Sequence, residues 1–233
     1  MRVLVTITVY NEAKNIGSVL KMIPSEYDVL VVDDGSSDST PDIARSAGAF
    51  VVRHPINLGQ GPAVITSFKI AVMEGYDIII EMDGDGQHDP AEIPAFIDKL
   101  VTEDVDIVVG SRILGRNYKK APFMRIKFLP YFTFVINKIT GYNLTDSMCG
   151  FRAFKAQALT RVIHQLEDMF EPQYIAAEMF IRFADAGLIV TEIPIKLHPR
   201  SSGKSYKGMF LYGFGVSKAI LKTYFDKKRK NTK

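Results

Sequence analysis

The stretch Ile78-Ile-Ile-Glu-Met-Asp83-Gly-Asp85-Gly-Gln87 joins a buried strand to an acidic turn. Its three isoleucines are typical of a strand, and its two glycines let the backbone turn sharply. The turn carries the carboxylates of Asp83 and Asp85 two residues apart. Hard divalent cations such as Mg²⁺ take one or two carboxylates together with substrate phosphates as ligands. The stretch therefore favours a site for a metal-bridged diphosphate, although turns rich in aspartate and glycine are also common on protein surfaces.

The chain before this stretch alternates between apolar strands and amphipathic helices. Strands are predicted at residues 2–9, 29–32 and 50–53, and helices at residues 12–22, 39–48 and 62–75. Because the strands are apolar throughout rather than alternating, they indicate an α/β fold with a mostly parallel sheet and helices on both faces.

Polar clusters follow three of the predicted strands. Tyr10-Asn-Glu12 follows the first, Asp33-Asp34 follows the second, and Asp83-Gly-Asp85 follows the fourth. In open sheets of this kind, ligands bind beyond the carboxyl ends of the strands. We therefore expect one shared site, in which Glu12 and Asp33 accept hydrogen bonds from a nucleotide base or ribose. The first strand is not followed by a G-x-G-x-x-G pattern, which disfavours a nicotinamide dinucleotide.

Residues 122–140 are rich in aromatic and aliphatic side chains interleaved with lysine and arginine, and they contain no acid. Pro130 is predicted to divide them into two short helices, since proline interrupts a helix interior. Amphipathic helices of this composition are typical of segments that lie in the plane of a membrane surface. We expect residues 119–141 to face a membrane; packing on the core or at a dimer contact is the alternative.

Further strands are predicted at residues 105–109 and 188–197. A helix is predicted at residues 171–187, in which Glu178 and Arg182 have the spacing of an exposed i,i+4 pair.

Two basic regions end the chain. Residues 198–207 combine three cations with three serines, a composition suited to covering the outer oxygens of a diphosphate. A solvated basic loop is the alternative. Residues 208–233 are predicted to form a C-terminal amphipathic helix and a basic tail.

The overall composition limits the class of protein. The net charge of +3 over 233 residues argues against a dedicated nucleic-acid binder. The single cysteine, Cys149, excludes an intramolecular disulfide and permits a reducing compartment. No apolar run reaches the roughly 18 residues that mark a spanning helix. We therefore expect a cytoplasmic protein that is peripheral at the cytoplasmic face of a membrane.

Six short motifs occur in order along the chain: Tyr10-Asn-Glu12, Val31-Val-Asp-Asp-Gly-Ser-Ser-Asp38, Asn57-Leu-Gly-Gln-Gly61, Asp83-Gly-Asp-Gly-Gln87, Gly110-Ser-Arg112 and Cys149-Gly-Phe-Arg152. Together they resemble the family-2 inverting glycosyltransferases, and within that family the dolichyl- and polyprenyl-phosphate sugar synthases. The resemblance implies a GT-A-type nucleotide-sugar-binding fold over residues 1–207.

The resemblance also implies roles for individual residues. Contacts with the nucleotide sugar are expected from Tyr10, Glu12, Asp33, Asp34, Asp83, Arg200, Lys204, Ser205 and Lys207. A Mg²⁺ or Mn²⁺ ion is expected on Asp83, Asp85 and Gln87. The acceptor phosphate is expected near Arg112, Arg125 and Arg152. Catalytic roles are expected for Asp85, Arg112, Asp146 and Arg152.

The family has a mobile R-x-x-G-x-S-K loop, and Arg200, Gly203 and Ser205 match it. Tyr206 stands at the lysine position of that loop, so Lys204 or Lys207 is expected to meet the diphosphate instead.

The predicted function is metal-dependent, inverting transfer of a hexose from a GDP- or UDP-sugar to a polyprenyl or dolichyl phosphate. A phosphate acceptor is already an anionic nucleophile, whereas a sugar hydroxyl needs a general base. The second half of the chain offers no such base beyond Asp146, which favours the phosphate. The alternatives are the same fold with a saccharide or protein hydroxyl as acceptor, a nucleotidyltransferase, and a non-catalytic nucleotide-sugar-binding protein.

Overall fold

The computed structural model describes residues 1–116, 123–168, 171–199 and 209–231, with the side chains of these ranges except those of residues 123–128, 209–212 and 226–231. The strands are β1 (Val3–Val9), β2 (Asp28–Asp33), β3 (Phe50–Arg53), β4 (Ile78–Asp83), β5 (Ile107–Ser111), β6 (Arg152–Lys155) and β7 (Val190–Pro194). The helices are α1 (Ile16–Met22), α2 (Thr40–Ser46), α3 (Gln60–Met73), α4 (Ile93–Thr102), α5 (Phe123–Thr140), α6 (Ala156–Thr160), α7 (Ile163–Glu167), α8 (Ile175–Asp185) and α9 (Met209–Asn231).

The described strands form one sheet in the order β3-β2-β1-β4-β6-β5-β7. At its centre, β1 pairs in parallel with β2 and β4, so that Val9 lies opposite Asp33 and Thr8 lies opposite Asp83. Because these strands run in the same direction, their carboxyl ends meet at one edge of the sheet. The predicted α/β fold with a mostly parallel sheet is confirmed.

Strand β6 was not predicted, and it runs antiparallel between β4 and β5. Its four residues begin and end with a charged side chain, so they lack the apolar run that marks the predicted strands. The register places its first residue, Arg152, opposite Glu81 near the carboxyl end of β4. The reversed strand therefore brings the residues just before it, 145–151, to the edge where the polar clusters lie.

Aromatic rings from the helices pack against the sheet in the core of the domain. Phe68 of α3 and Phe183 of α8 meet Phe154 of β6 edge-on, with ring centroids 4.9 Å and 6.1 Å apart respectively. All three side chains are fully buried, and burial of one such side chain stabilises a fold by roughly 1.5–3 kcal/mol. This packing holds β6, and with it Arg152, in a fixed place.

Helix α5 is continuous, so the prediction that Pro130 divides this region into two helices is wrong. A proline inside a helix costs about 3 kcal/mol, because it removes a hydrogen bond and crowds the preceding turn. Phe132 and Ile136 lie after the proline and are buried where α5 meets α8 and α9. Burial of two such side chains, at roughly 1.5–3 kcal/mol each, offsets the cost of the proline.

Helix α8 is more deeply buried than predicted, since α5, α7 and α9 pack against it. Glu178 and Arg182 are 0% and 4% exposed, and their charged atoms lie 3.7 Å apart. The prediction of an exposed pair is therefore wrong.

Helix α9 packs on the domain through Val216, Ala219 and Ile220, which are buried. The predicted boundary at residue 208 lies outside the described residues. Within the ranges described, no helix is long and apolar enough to cross a membrane.

Candidate active site at the carboxyl edge of the sheet

The turn after β1 is anchored to the turn after β2. Asn11 has a positive φ of 54°, and its backbone N–H donates to Ser36 Oγ at 2.8 Å. The N–H of Glu12 donates to Thr40 Oγ1 at 2.8 Å. These bonds hold residues 11–15 in a turn, so that α1 begins at Ile16 rather than at residue 12 as predicted. Tyr10 and Glu12 are thereby held half-buried at the carboxyl edge.

Asp33 and Asp34 are buried beneath this edge. Asp33 Oδ2 lies 3.1 Å from Arg53 Nε, although neither this contact nor any other among the described residues gives that oxygen a hydrogen bond. The carboxylate of Asp34 accepts hydrogen bonds from the N–H groups of Leu58 and Gly59 at 3.0 Å and 2.8 Å. Both aspartates therefore organise loops in this conformation, and their contact with a nucleotide stays a prediction.

The acidic turn after β4 is half-open to solvent. The side chain of Asp83 is 40% exposed, and Gly150 packs so closely that an added methyl group would lie 2.8 Å from an Asp83 carboxylate oxygen. Asp85 accepts a hydrogen bond from the N–H of Gln87 at 3.0 Å, within a turn that needs a positive φ of 78° at Gly86. This geometry requires glycine at both residue 86 and residue 150.

His88 was not predicted as a site residue, and the structure places it against Asp83. The N–H of Asp83 donates to His88 Nδ1 at 3.2 Å, which leaves the ring proton on Nε2. The ring is 4% exposed and stacks on Phe151 at 5.1 Å. Burial lowers the pKa of His88, so the neutral ring supports the backbone of the acidic turn. Its place directly after Gln87 puts it next to the acidic turn, but the sequence does not show the hydrogen bond on which its role depends.

Arg112 and Asp146 form a buried ion pair. Arg112 donates to the Asp146 carboxylate through Nε at 2.6 Å, through a terminal nitrogen at 2.8 Å, and through its backbone N–H at 3.2 Å. Glu192, which the sequence analysis did not single out, accepts hydrogen bonds from the N–H groups of Thr145 and Asp146 at 2.7 Å and 2.8 Å. Burial raises the pKa of Glu192. Arg112 and Asp146, both predicted site residues, are thus brought together. Glu192 holds the loop that carries Asp146 through the backbone of Thr145 and Asp146.

Arg152 lies deeper than its predicted role requires. It is 2% exposed, and its guanidinium lies 3.3 Å from Glu81 and over the ring of Phe180. Burial raises the pKa of Glu81, and Arg152 opposes that shift. Nε of Arg152 has no hydrogen-bond partner in the described part of the chain. A direct contact of Arg152 with an acceptor phosphate is not open in this conformation and stays a prediction.

Several predicted residues fall outside the described residues: the side chain of Arg125, and Arg200, Lys204, Ser205 and Lys207. The segment before this loop is described, and it is tied to the acidic turn. The N–H of His198 donates to the carbonyl of Gln87 at 2.9 Å, and the Gln87 amide donates back to the carbonyl of His198 at 3.4 Å.

The acidic turn fits a metal ion that is shared with a ligand. No group of three or more histidine, cysteine, aspartate or glutamate side chains among the described residues is arranged to hold a metal alone. Asp83 and Asp85 supply two oxygen-bearing side chains at a partly exposed turn. This donor set matches Mg²⁺ or Mn²⁺ that completes its coordination with phosphate oxygens and water.

Comparison with known proteins identifies the family of the chain. Residues 4–163 match Glycosyl transferase family 2. The chain is 34% identical to the undecaprenyl-phosphate mannosyltransferase of Micrococcus luteus over 88% of this chain and 87% of the relative. It is 31% identical to the UDP-N-acetylglucosamine–dolichyl-phosphate N-acetylglucosaminyltransferase of Methanococcus voltae over 82% of this chain and 83% of the relative.

A solved structure shows the same fold. The glucosyl-3-phosphoglycerate synthase of Mycobacterium tuberculosis, crystallised with Mn²⁺, uridine diphosphate and phosphoglyceric acid, superposes with a TM-score of 0.75. The match has 19% sequence identity and covers 96% of this chain and 78% of the other. The parallel sheet with its acidic carboxyl edge and the matched sequence together show that this chain belongs to glycosyl transferase family 2 and has the GT-A fold.

Proposed function

We propose that this protein transfers a hexose from a nucleotide sugar to a polyprenyl or dolichyl phosphate, with inversion and with a divalent metal ion. The observation that carries the proposal is the Asp83-Gly-Asp85 turn, which lies between the nucleotide side of the sheet edge and the segment brought by β6. The curated relatives above, named for transfer to undecaprenyl and dolichyl phosphates, support the acceptor class.

The donor lies along the edge formed by β1, β2 and β4 in this proposal. Tyr10, Glu12 and Asp33 face the base and ribose. Oδ2 of Asp33 lies beside Arg53 but accepts no hydrogen bond from the described residues, so it can accept one from the nucleotide. Asp83 and Asp85, with Gln87, hold Mg²⁺ or Mn²⁺. When bound, the cation stabilises the negative charge that builds on the leaving diphosphate.

The acceptor is an anionic phosphate, so no residue needs to remove its proton. A phosphate oxygen of the acceptor attacks the anomeric carbon from the face opposite the leaving group. The bond from that carbon to the donor diphosphate breaks, and the nucleoside diphosphate departs with the electron pair. Arg112, held by Asp146, supplies positive charge on this side. His88 is buried, its Nδ1 accepts the N–H of Asp83 and its Nε2 carries the ring proton, so it has no free lone pair with which to act as the base for a hydroxyl acceptor.

The acceptor side requires a lipid surface, and we propose that α9 and α5 provide it. Phe214, Leu221 and Phe225 are exposed and share one face of α9, at spacings of seven and eleven residues from Phe214. On α5, Tyr131 and Phe134 are exposed at 61% and 57%, and Lys138 lies 5.6 Å from the ring of Phe134. Apolar side chains flanked by lysine match an anionic membrane surface.

We also propose that the protein acts at the cytoplasmic face of the membrane. It is supported by Cys149, a free and buried thiol compatible with a reducing compartment.

A transfer assay tests the proposed reaction. The protein is incubated with GDP- or UDP-sugars labelled in the hexose, polyprenyl phosphate and Mn²⁺, and the label is partitioned between organic solvent and water. We expect label in the organic phase, lost with excess chelator and in Asp85→Asn. The matched control is Asp42→Asn, an exposed acid on α2 that lies in no predicted site. Label that enters only water-soluble products would refute the lipid acceptor.

Co-sedimentation with vesicles of anionic lipid tests the surface proposal. Phe214→Asp and Phe225→Asp together should abolish binding, whereas Met73→Asp, at an exposed apolar residue of α3, should leave it unchanged. Equal binding by the wild type, the double variant and Met73→Asp would reject α9 as the lipid-facing helix.

A further inference from the structure

The segment Glu171–Tyr174 lies between α9 and the loop at residues 57–61, and it contacts both. It has no place in the site described above. We propose that this bridge segment positions the loop 57–61 for the donor nucleotide, so that donor binding depends on how α9 is packed. The inference rests on the proposed function, since it takes the loop 57–61 as part of the nucleotide side of the site.

The bridge segment contacts the loop 57–61 at Gly59 and Gly61. The N–H of Gly61 donates to the carbonyl of Pro172 at 2.7 Å. Gly59 has a positive φ of 103°, and an added methyl group there would lie 2.8 Å from Nε2 of Gln173. The loop and the bridge segment are therefore in close backbone contact, with no room for a side chain between them.

The same loop is fixed to the sheet edge by Asp34, which binds the N–H groups of Leu58 and Gly59. It follows β3 and leads into α3, so it starts from the edge at which the nucleotide is proposed to bind. The loop thus has two supports, the Asp34 carboxylate on one side and the bridge segment on the other. A shift of either support changes the backbone groups that the loop presents.

The other side of the bridge segment rests on α9. The Glu171 carboxylate lies 2.6 Å from Lys218 Nζ and 3.3 Å from Lys222 Nζ. The ring of Tyr174 packs directly on Gly215, where an added methyl group would overlap it. The bridge segment is itself stiffened, because the N–H of Glu171 donates to Glu178 at 2.8 Å. A displacement of Tyr174 is therefore passed to Gln173 and Pro172.

Two glycines of α9 give a matched pair of variants. Gly215→Ala forces the Tyr174 ring to move, whereas Gly213→Ala adds a methyl group at an ordinary 3.8 Å from Phe132. Both substitutions raise helix propensity by the same amount. Both positions lie away from the exposed face proposed to meet lipid, at Phe214 and Phe225, so membrane binding is not the variable.

The first measurement is amide hydrogen exchange of residues 57–61 in the protein without ligand. Exchange should be faster in Gly215→Ala than in wild type and unchanged in Gly213→Ala. The second is the Kd for UDP and for GDP with Mn²⁺, which should rise at least about threefold in Gly215→Ala, within the range of coupling effects of distant substitutions. Far-UV circular dichroism and thermal melting establish that both variants are folded.

Glu171→Gln is the second variant, and it serves if Gly215→Ala does not fold. It removes the two ion pairs to α9, and it should produce the same faster exchange and weaker nucleotide binding in a protein that remains folded. Unchanged exchange at residues 57–61 in both Gly215→Ala and Glu171→Gln would overturn the inference. If the wild type binds neither nucleotide, the proposed function fails, and the exchange data still decide whether the bridge segment holds the loop.

Discussion

Replacing Asp146 by asparagine removes the charge that faces Arg112 and keeps the shape of the side chain. Asp146 is fully buried and Arg112 is 8% exposed, so the guanidinium would lose its counter-charge where solvent cannot replace it. Removal of one partner from a buried ion pair costs about 3–5 kcal/mol. We expect the lower end, about 3 kcal/mol, because Arg112 keeps a small contact with solvent.

Urea unfolding at pH 7, followed by circular dichroism, measures this loss. For a chain of this size a loss of about 3 kcal/mol lowers the melting temperature by about 6–12 °C, at about 2–4 °C per kcal/mol. The control is Glu103→Gln, which breaks the i,i+4 pair with Lys99 on the surface and should cost less than about 1 kcal/mol. A double variant, Arg112→Met with Asp146→Leu, should recover part of the loss. A loss of stability in Asp146→Asn no larger than in Glu103→Gln would contradict this prediction.

Three further predictions concern single residues. Burial raises the pKa of the Cys149 thiol to about 12, so a thiol reagent at pH 8 should label it only at the rate of unfolding; rapid labelling of the native protein would contradict its burial. Gly35→Ala should destabilise more than Gly48→Ala, because both have positive φ but only at Gly35 would the methyl group lie 2.5 Å from the Ile56 backbone; equal losses in urea unfolding would count against this contact. The hydrogen bond from Lys218 lowers the pKa of Glu171, so the stability that Glu171 adds should be present above its unfolded pKa of about 4.3 and lost as pH falls through the lower folded value. A difference in unfolding free energy between wild type and Glu171→Gln that does not shrink between pH 7 and pH 3 would refute this.

The parallel part of the fold could be predicted from the sequence, because buried parallel strands are apolar without interruption. The runs at β1, β2 and β4 carry that pattern, and the polar clusters directly after them marked the edge of the sheet. Strand β6 could not be predicted, because its four residues begin and end with a charged side chain and so lack an apolar run. Its place depends on the rings of Phe68 and Phe183, which are distant in sequence.

The main difference from the prediction is that several charged side chains are more deeply buried than expected. Sequence motifs mark Arg152 and Asp33 as site residues, but their burial is set by the layers that cover them. The same holds for Glu178 and Arg182, whose i,i+4 spacing is equally compatible with a surface and a buried pair. Spacing along a helix gives the face on which residues lie, and it does not say what covers that face.

The continuity of α5 illustrates a related limit. Local propensity predicts a break at Pro130, and burial of Phe132 and Ile136 overrides it. His88 was missed for the opposite reason, since its role depends on a backbone hydrogen bond from Asp83 that no sequence pattern shows.

In the proposed reaction, Asp83 and Asp85 bind a metal ion that in turn binds the diphosphate of the donor. Calorimetric titration of the protein with UDP and GDP, in Mn²⁺ and in excess chelator, tests it most directly. We expect binding of one nucleotide in Mn²⁺, a loss of at least about tenfold in affinity in the chelator and in Asp85→Asn, and no loss in Asp42→Asn. Equal affinity with and without the metal, or undiminished binding by Asp85→Asn, would contradict the claim.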